Sequence, residues 1–152
     1  MKRIVITSMY ANPIHPGHIE CLERARALGD YLAVIVNNDV QQEMKIGSVY
    51  QSEEFRATVV AAIKPVDEVF LSVDKDGSVC ESLSALSKRL RKHRKGVKLI
   101  FAKGGDRNVT NIPETEICKE LDIEIVDGLG DKTHNSKDFR DLGLKKVLKE
   151  KI

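Results

Sequence analysis

Residues 4–36, IVITSMYANPIHPGHIECLERARALGDYLAVIV, decide the fold. Ile4-Val5-Ile6 is a short apolar run of the kind that forms a buried strand. From His18 to Leu28, Ile19, Leu22, Ala25 and Leu28 recur at helical spacing, with Glu20, Glu23, Arg24 and Arg26 between them. Gly29 reads as a C-terminal stop. Leu32 to Val36 is continuously apolar and β-branched, which suits a strand covered on both faces. Strand, helix and strand in that order make a βαβ unit.

The pattern repeats downstream. Ser52, Glu53 and Glu54 before Phe55, Val59, Val60 and Ile63 predict a capped helix. Val69-Phe70-Leu71 predicts the third strand. Val79, Leu83, Leu86 and Leu90 mark another helix, and residues 97–102 the fourth strand. Pro113 opens a short helix to Leu121, Ile123 to Val126 is the fifth strand, and a last helix is expected over 137–149. Five strands separated by helices imply an α/β fold. With right-handed crossovers, a Rossmann-like, doubly wound, five-stranded parallel sheet is expected, in order 3-2-1-4-5 with helices on both faces. No linker or repeat interrupts it, so residues 1–152 read as a single domain.

Composition excludes several classes. The chain has 152 residues, 41% hydrophobic and 32% charged, as a soluble domain requires. Aromatics are 5% with no Trp, which disfavours base stacking on single strands. A net charge of +2 from 25 basic and 23 acidic groups is too balanced for a nucleic-acid binder. The run from Lys88 to Lys95 reads as a solvated helix end. Cys21, Cys80 and Cys118 show no C-x-x-C pairing, so neither zinc nor a disulfide framework is indicated. No signal peptide or membrane span is seen, so a cytoplasmic protein without a membrane partner is expected.

Ligands of such sheets lie beyond the carboxyl ends of the strands. The loops there are 7–17, 37–47, 102–112 and 127–136. The first carries His15 and His18, three apart at a helix start, with Gly17 between them. Helix starts present unpaired N–H groups and a partial positive charge that attract phosphate. Gly17 lets a phosphate approach the backbone. Two imidazoles there would stabilise charge on an α-phosphate under attack. The competing explanations are structural hydrogen bonding and a metal pair; the metal pair lacks a nearby carboxylate.

Asn12-Pro13-Ile14-His15-Pro16-Gly17-His18, continued by Leu22 to Leu32, resembles the cytidylyltransferase-like nucleotidyltransferase superfamily. The glycerol-phosphate cytidylyltransferases and the nucleotidyltransferase domain of ADP-heptose synthesis are the closest patterns. The resemblance implies transfer of CMP or AMP from CTP or ATP to a phosphorylated small molecule, such as a polyol or sugar phosphate. Pyrophosphate leaves, and Mg²⁺ is held through the triphosphate with no protein metal site. It also implies a homodimer.

By the same resemblance His15, His18 and Lys45 are catalytic, Lys45 swinging from a loop onto phosphate. Met9, Tyr10, Asn12, Gly17, Gly105, Asp106, Arg107, Lys132, Asn135 and Ser136 bind nucleotide. Arg56 clamps substrate phosphate or pairs with a carboxylate, and Lys64 faces substrate. Departures from the pattern are Asn12 where Asp is frequent, Arg107 where an aromatic is frequent, and Lys132 one residue out of register. They leave CTP against ATP open. The alternatives are an ATP-dependent adenylyltransferase acting on a heptose phosphate or mononucleotide, and a non-catalytic nucleotide-binding module.

Overall fold

The computed structural model describes residues 2–104, 112–127 and 129. The strands are β1 (Arg3–Met9), β2 (Tyr31–Val36), β3 (Glu68–Leu71), β4 (Lys98–Ala102) and β5 (Glu124–Val126). They form one sheet in the order β3-β2-β1-β4-β5, every pair parallel, as the sequence led us to expect. Strand order reverses at β1, whose neighbours β2 and β4 lie on opposite sides. The crevice beyond the ends of β1 and β4 is therefore the switch point where a ligand belongs.

Side chains on successive strand residues alternate between faces, and each face has its own helices. Ile4, Ile6, Ile35, Leu99 and Phe101 pack on Leu83, Leu86 and Leu90 of α4 (Cys80–His93) and Cys118 of α5 (Glu114–Glu120). Val5, Leu32, Val34 and Val36 pack on Leu22 and Ala25 of α1 (Pro16–Arg26) and Val60 of α3 (Glu53–Ala61). Double coverage explains why the strand sequences are continuously apolar. All three cysteines are free, and burial raises each thiol, Cys118 to about 12. Among the described residues no helix is long and apolar enough to cross a membrane.

Two elements differ from expectation. Residues 37–47, expected as a loop, contain α2 (Asp39–Ile46). Its periodicity is inverted: Gln41 and Gln42 are buried while Val40 and Met44 are exposed. Apolar spacing could not reveal it. The caps could: Asn38 accepts from the Gln41 backbone N–H, the Gln41 side chain returns to the Asn38 N–H, and Gly47 ends the helix at φ 79°. Gly29 is not a left-handed stop either. α1 ends at Ala27 in an ordinary right-handed conformation. Gly29 is required because a Cβ there would lie 2.8 Å from the Arg3 carbonyl oxygen and 3.0 Å from Val5 Cγ2.

Three arginines of the basic run at the end of α4 are engaged within the chain. Arg89 pairs with Glu68, Arg91 donates to the carbonyls of Leu121 and Asp122, and Arg94 lies 4.9 Å from the Tyr31 ring centre. The helix expected over 137–149 lies outside the described residues. Gly29→Ala should destabilise the protein by about 1–3 kcal/mol, because the obstructing atom is fixed backbone. An unchanged urea midpoint would contradict that contact.

Candidate active site

Beyond β1 the chain turns at Ala11, a buried residue at φ 53°, in the left-handed region that non-glycine residues rarely adopt. A single side chain fixes this turn. Arg56 is wholly buried. It donates through Nε to Gln51 O (2.9 Å), through Nη1 to Tyr10 O (2.8 Å) and Asn37 O (2.6 Å), and through Nη2 to Asp39 Oδ1 (3.1 Å). The planar fork joins the first loop, the end of β2, α2 and the segment before α3. Gln42 extends the frame, accepting from Asn12 Nδ2 and donating to Asp39 Oδ1 and Gln51 O. Arg56 was expected at the substrate. Its burial and four partners instead match the alternative of pairing with a carboxylate, because its donors already serve the scaffold.

The two histidines cap α1 reciprocally. His15 is the N-cap, and its Nδ1 accepts from the Gly17 N–H at 3.1 Å. His18 occupies the third helical position, and its Nδ1 accepts from the His15 N–H at 3.1 Å. The remaining first-turn amides of His18 and Ile19 reach His15 O at 2.9 and 3.3 Å, and Pro16 has no N–H. The first-turn amides are therefore engaged by residue 15 and are not left open to a phosphate, contrary to the sequence-based expectation. A ring nitrogen that accepts carries no proton, so the neutral tautomer of each ring bears its N–H on Nε2. The two ring centroids are 3.9 Å apart with planes tilted by 40°. Burial, then like-charge repulsion toward His15 and Lys45, depresses His18 to about 3, so at neutral pH it is an uncharged donor.

Lys45 closes the third side. It sits in the last turn of α2, on a helix and not on the loop expected for it. Its Nζ lies 4.1 Å from the Tyr10 ring centre, and its charge is felt at His18. Tyr10, His15, His18 and Lys45 thus meet at the carboxyl edge. Asn12 and Met9 serve the frame: Asn12 through Gln42, Met9 as a core side chain whose carbonyl accepts from the Asn37 N–H at 3.1 Å.

Sequence reasoning passed over Lys103. At the end of β4, its Nζ donates to Ser8 Oγ of β1 at 3.2 Å, placing a cation in the switch-point crevice. The signal was present, since Lys103 precedes the paired glycines. Next to it, a Cβ on Gly104 would lie 2.7 Å from Cys21 Sγ, so β4 ends hard against α1.

Lys64 is not brought to this site. α3 runs antiparallel to the strands, and the turn after it delivers the exposed Lys64 to the opposite edge. There the Asp67 N–H reaches Leu32 O, at the start of β2, at 2.9 Å. Gly105, Asp106, Arg107, Lys132, Asn135 and Ser136 lie outside the described residues.

Two outcomes follow from this geometry. Arg56→Ala should lower stability by about 1–3 kcal/mol in urea unfolding, since it removes the guanidinium from the carbonyls of Tyr10 and Asn37, while Gln42 still donates to Asp39 and Gln51. His18 also sets a pH dependence. Its folded value of about 3 lies below the ordinary 6.5, so as pH falls the unfolded chain takes up the proton first. Stability is full above pH 6.5 and declines from there toward 3. Between pH 7 and 5 the unfolding midpoint should fall more steeply for the wild type than for His18→Asn; equal slopes would refute the assignment.

Known proteins resemble this chain in sequence and in fold. The Cytidylyltransferase-like family model matches residues 10–129. The FAD synthase of Methanosarcina barkeri is 36% identical over 124 residues, covering 78% of this chain and 88% of its own. The glycerol-3-phosphate cytidylyltransferase of Bacillus subtilis is 39% identical over 69 residues, covering 45% and 53%. Over the first curated relatives it matches, the chain spans about half their length. Among solved structures, a lipopolysaccharide core biosynthesis protein from Thermoplasma volcanium shares the fold, with a TM-score of 0.60 at 22% identity over 84% of this chain and 95% of its own. The family match begins at Tyr10 and includes the paired histidines, and on that basis the chain belongs to the cytidylyltransferase-like family.

Proposed function

We propose that this protein is a nucleotidyltransferase that moves a nucleoside monophosphate from an NTP to a phosphorylated small molecule and releases pyrophosphate. One observation carries the reading: the reciprocal capping that engages Nδ1 of both imidazoles and so makes Nε2 the N–H donor of each neutral ring, with the Lys45 ammonium near them. An oxygen of the acceptor's phosphate attacks the α-phosphorus in line. The bond from that phosphorus to the oxygen bridging to the β-phosphate breaks, and the electron pair leaves with pyrophosphate. An ionised phosphate nucleophile needs no protein base. The site must instead stabilise charge growing on the α-phosphate and the leaving group, the role of fixed donors in a site shielded from water.

Magnesium fits as a companion of the triphosphate. It favours oxygen ligands and keeps much of its water. The groups gathered here are imidazole donors and ammonium ions, and among the described residues no three His, Cys, Asp or Glu are grouped to hold a metal. Bound with the nucleotide, the ion would neutralise phosphate oxygens. The same reading assigns Gly105, Asp106, Arg107, Lys132, Asn135 and Ser136 to the nucleotide and places the enzyme among cytoplasmic metabolites. The long match to an FAD synthase favours ATP as donor, hence AMP transfer.

Pyrophosphate release should appear with ATP or CTP in the presence of Mg²⁺ and one of a panel of phosphorylated acceptors, including FMN, glycerol 3-phosphate and sugar phosphates. His18→Ala should keep the circular dichroism spectrum and reduce turnover about a hundredfold or more. Wild-type turnover from that variant would exclude the role. Nucleotide binding without pyrophosphate release, whatever the acceptor, would favour a non-catalytic binding module.

A further inference from the structure

We propose that Tyr10 is a positioning residue whose ring holds the Lys45 ammonium over the phosphate site before nucleotide arrives. The inference rests on the nucleotidyltransferase reading for its kinetic consequence, but not for its geometry. A lysine side chain loses conformational freedom when it is ordered. An unsupported lysine would have to lose that freedom when the triphosphate binds. Here both ends of the contact are anchored beforehand. The Lys45 backbone is set by the last turn of α2, whose cap bond runs from Gly47 N to Glu43 O at 2.7 Å. The Tyr10 backbone is set by Arg56 Nη1 on its carbonyl at 2.8 Å, just before the left-handed turn at Ala11. Between these anchors, ammonium and ring centre are 4.1 Å apart, well within the range of cation–π attraction.

The direction of the hold matters. The same ammonium is close enough to His18 to disfavour a second positive charge there. The ring therefore keeps Lys45 on the side of the imidazoles, where an incoming α-phosphate would find it. An aromatic face offers the ammonium no anion, so it yields Lys45 readily to a phosphate oxygen. A carboxylate at residue 10 would hold the lysine more firmly and release it less readily. Tyr10 was expected to bind nucleotide directly, a role that would operate whether or not Lys45 is present.

The two roles separate in a double-mutant cycle. Tyr10→Leu should lower kcat/KM for the NTP about two- to fivefold, while Tyr10→Phe, which retains the ring, should restore it. In a Lys45→Ala background, Tyr10→Leu should have no further effect. A full additional loss there would overturn the proposal in favour of direct nucleotide contact. Nucleotide-free NMR reads the geometry without any assay of activity. The Lys45 ε-methylene protons should be shifted upfield by the ring in the wild type and in Tyr10→Phe, and return to the ordinary lysine position in Tyr10→Leu. Unshifted protons in the wild type would overturn the contact. If no NTP is turned over, the functional reading falls, while the methylene shift still decides whether the ring holds the lysine.

Discussion

The first turn of α1 depends on an exchange of hydrogen bonds between backbone and imidazole. Capping usually falls to a hydroxyl, amide or carboxylate, each of which spends its acceptor on the helix and offers little beyond it. An imidazole has a second nitrogen on the far side of a rigid ring. When Nδ1 of His15 takes the Gly17 N–H and Nδ1 of His18 takes the His15 N–H, tautomerism leaves hydrogen on Nε2 in both. The bonds that stabilise the helix start therefore also fix the donor state of the second ring nitrogens. Stability and chemistry are joined in one pair of residues, and the depressed basicity of His18 keeps that state unchanged across the physiological range.

The surrounding structure holds this turn in place. β1 delivers the loop to the edge, Arg56 fixes the Tyr10 carbonyl, and the left-handed Ala11 then redirects the chain. Because that guanidinium also bonds to Asn37 O and Asp39, α2 and the first loop are placed by the same group. Lys45 and the histidines thereby keep their relation although 30 residues separate Lys45 from His15. A buried arginine is normally costly. Here it replaces several separate loop contacts by one planar group.

Most of the sheet was legible because its strands are buried on both faces and its helices carry apolar stripes. Leu22 and Ala25, or Leu83, Leu86 and Leu90, announce themselves by spacing. The H-x-G-H turn was legible because histidine, glycine and a strand-to-helix transition coincide. α2 was not, because it turns amides inward and a valine and a methionine outward, and only its caps betray it. Arg56 and Lys64 were read alike as cations near a site, yet one is wholly buried and the other is on the opposite edge. Charge alone carries no depth, and the direction of α3 decides between them. Lys103 was hidden for a related reason, since its partner Ser8 is 95 residues away.

The close approach of Gly104 to Cys21 fixes how near the end of β4 lies to α1. The thiol occupies the space that a side chain at 104 would need, so the two positions are tied in size. Across evolution, a larger residue at one must be matched by a smaller one at the other, or the end of β4 must drift from α1 and widen the cleft. The spacing between the end of β4 and α1 is thus set by a sulfur atom and an absent methyl group.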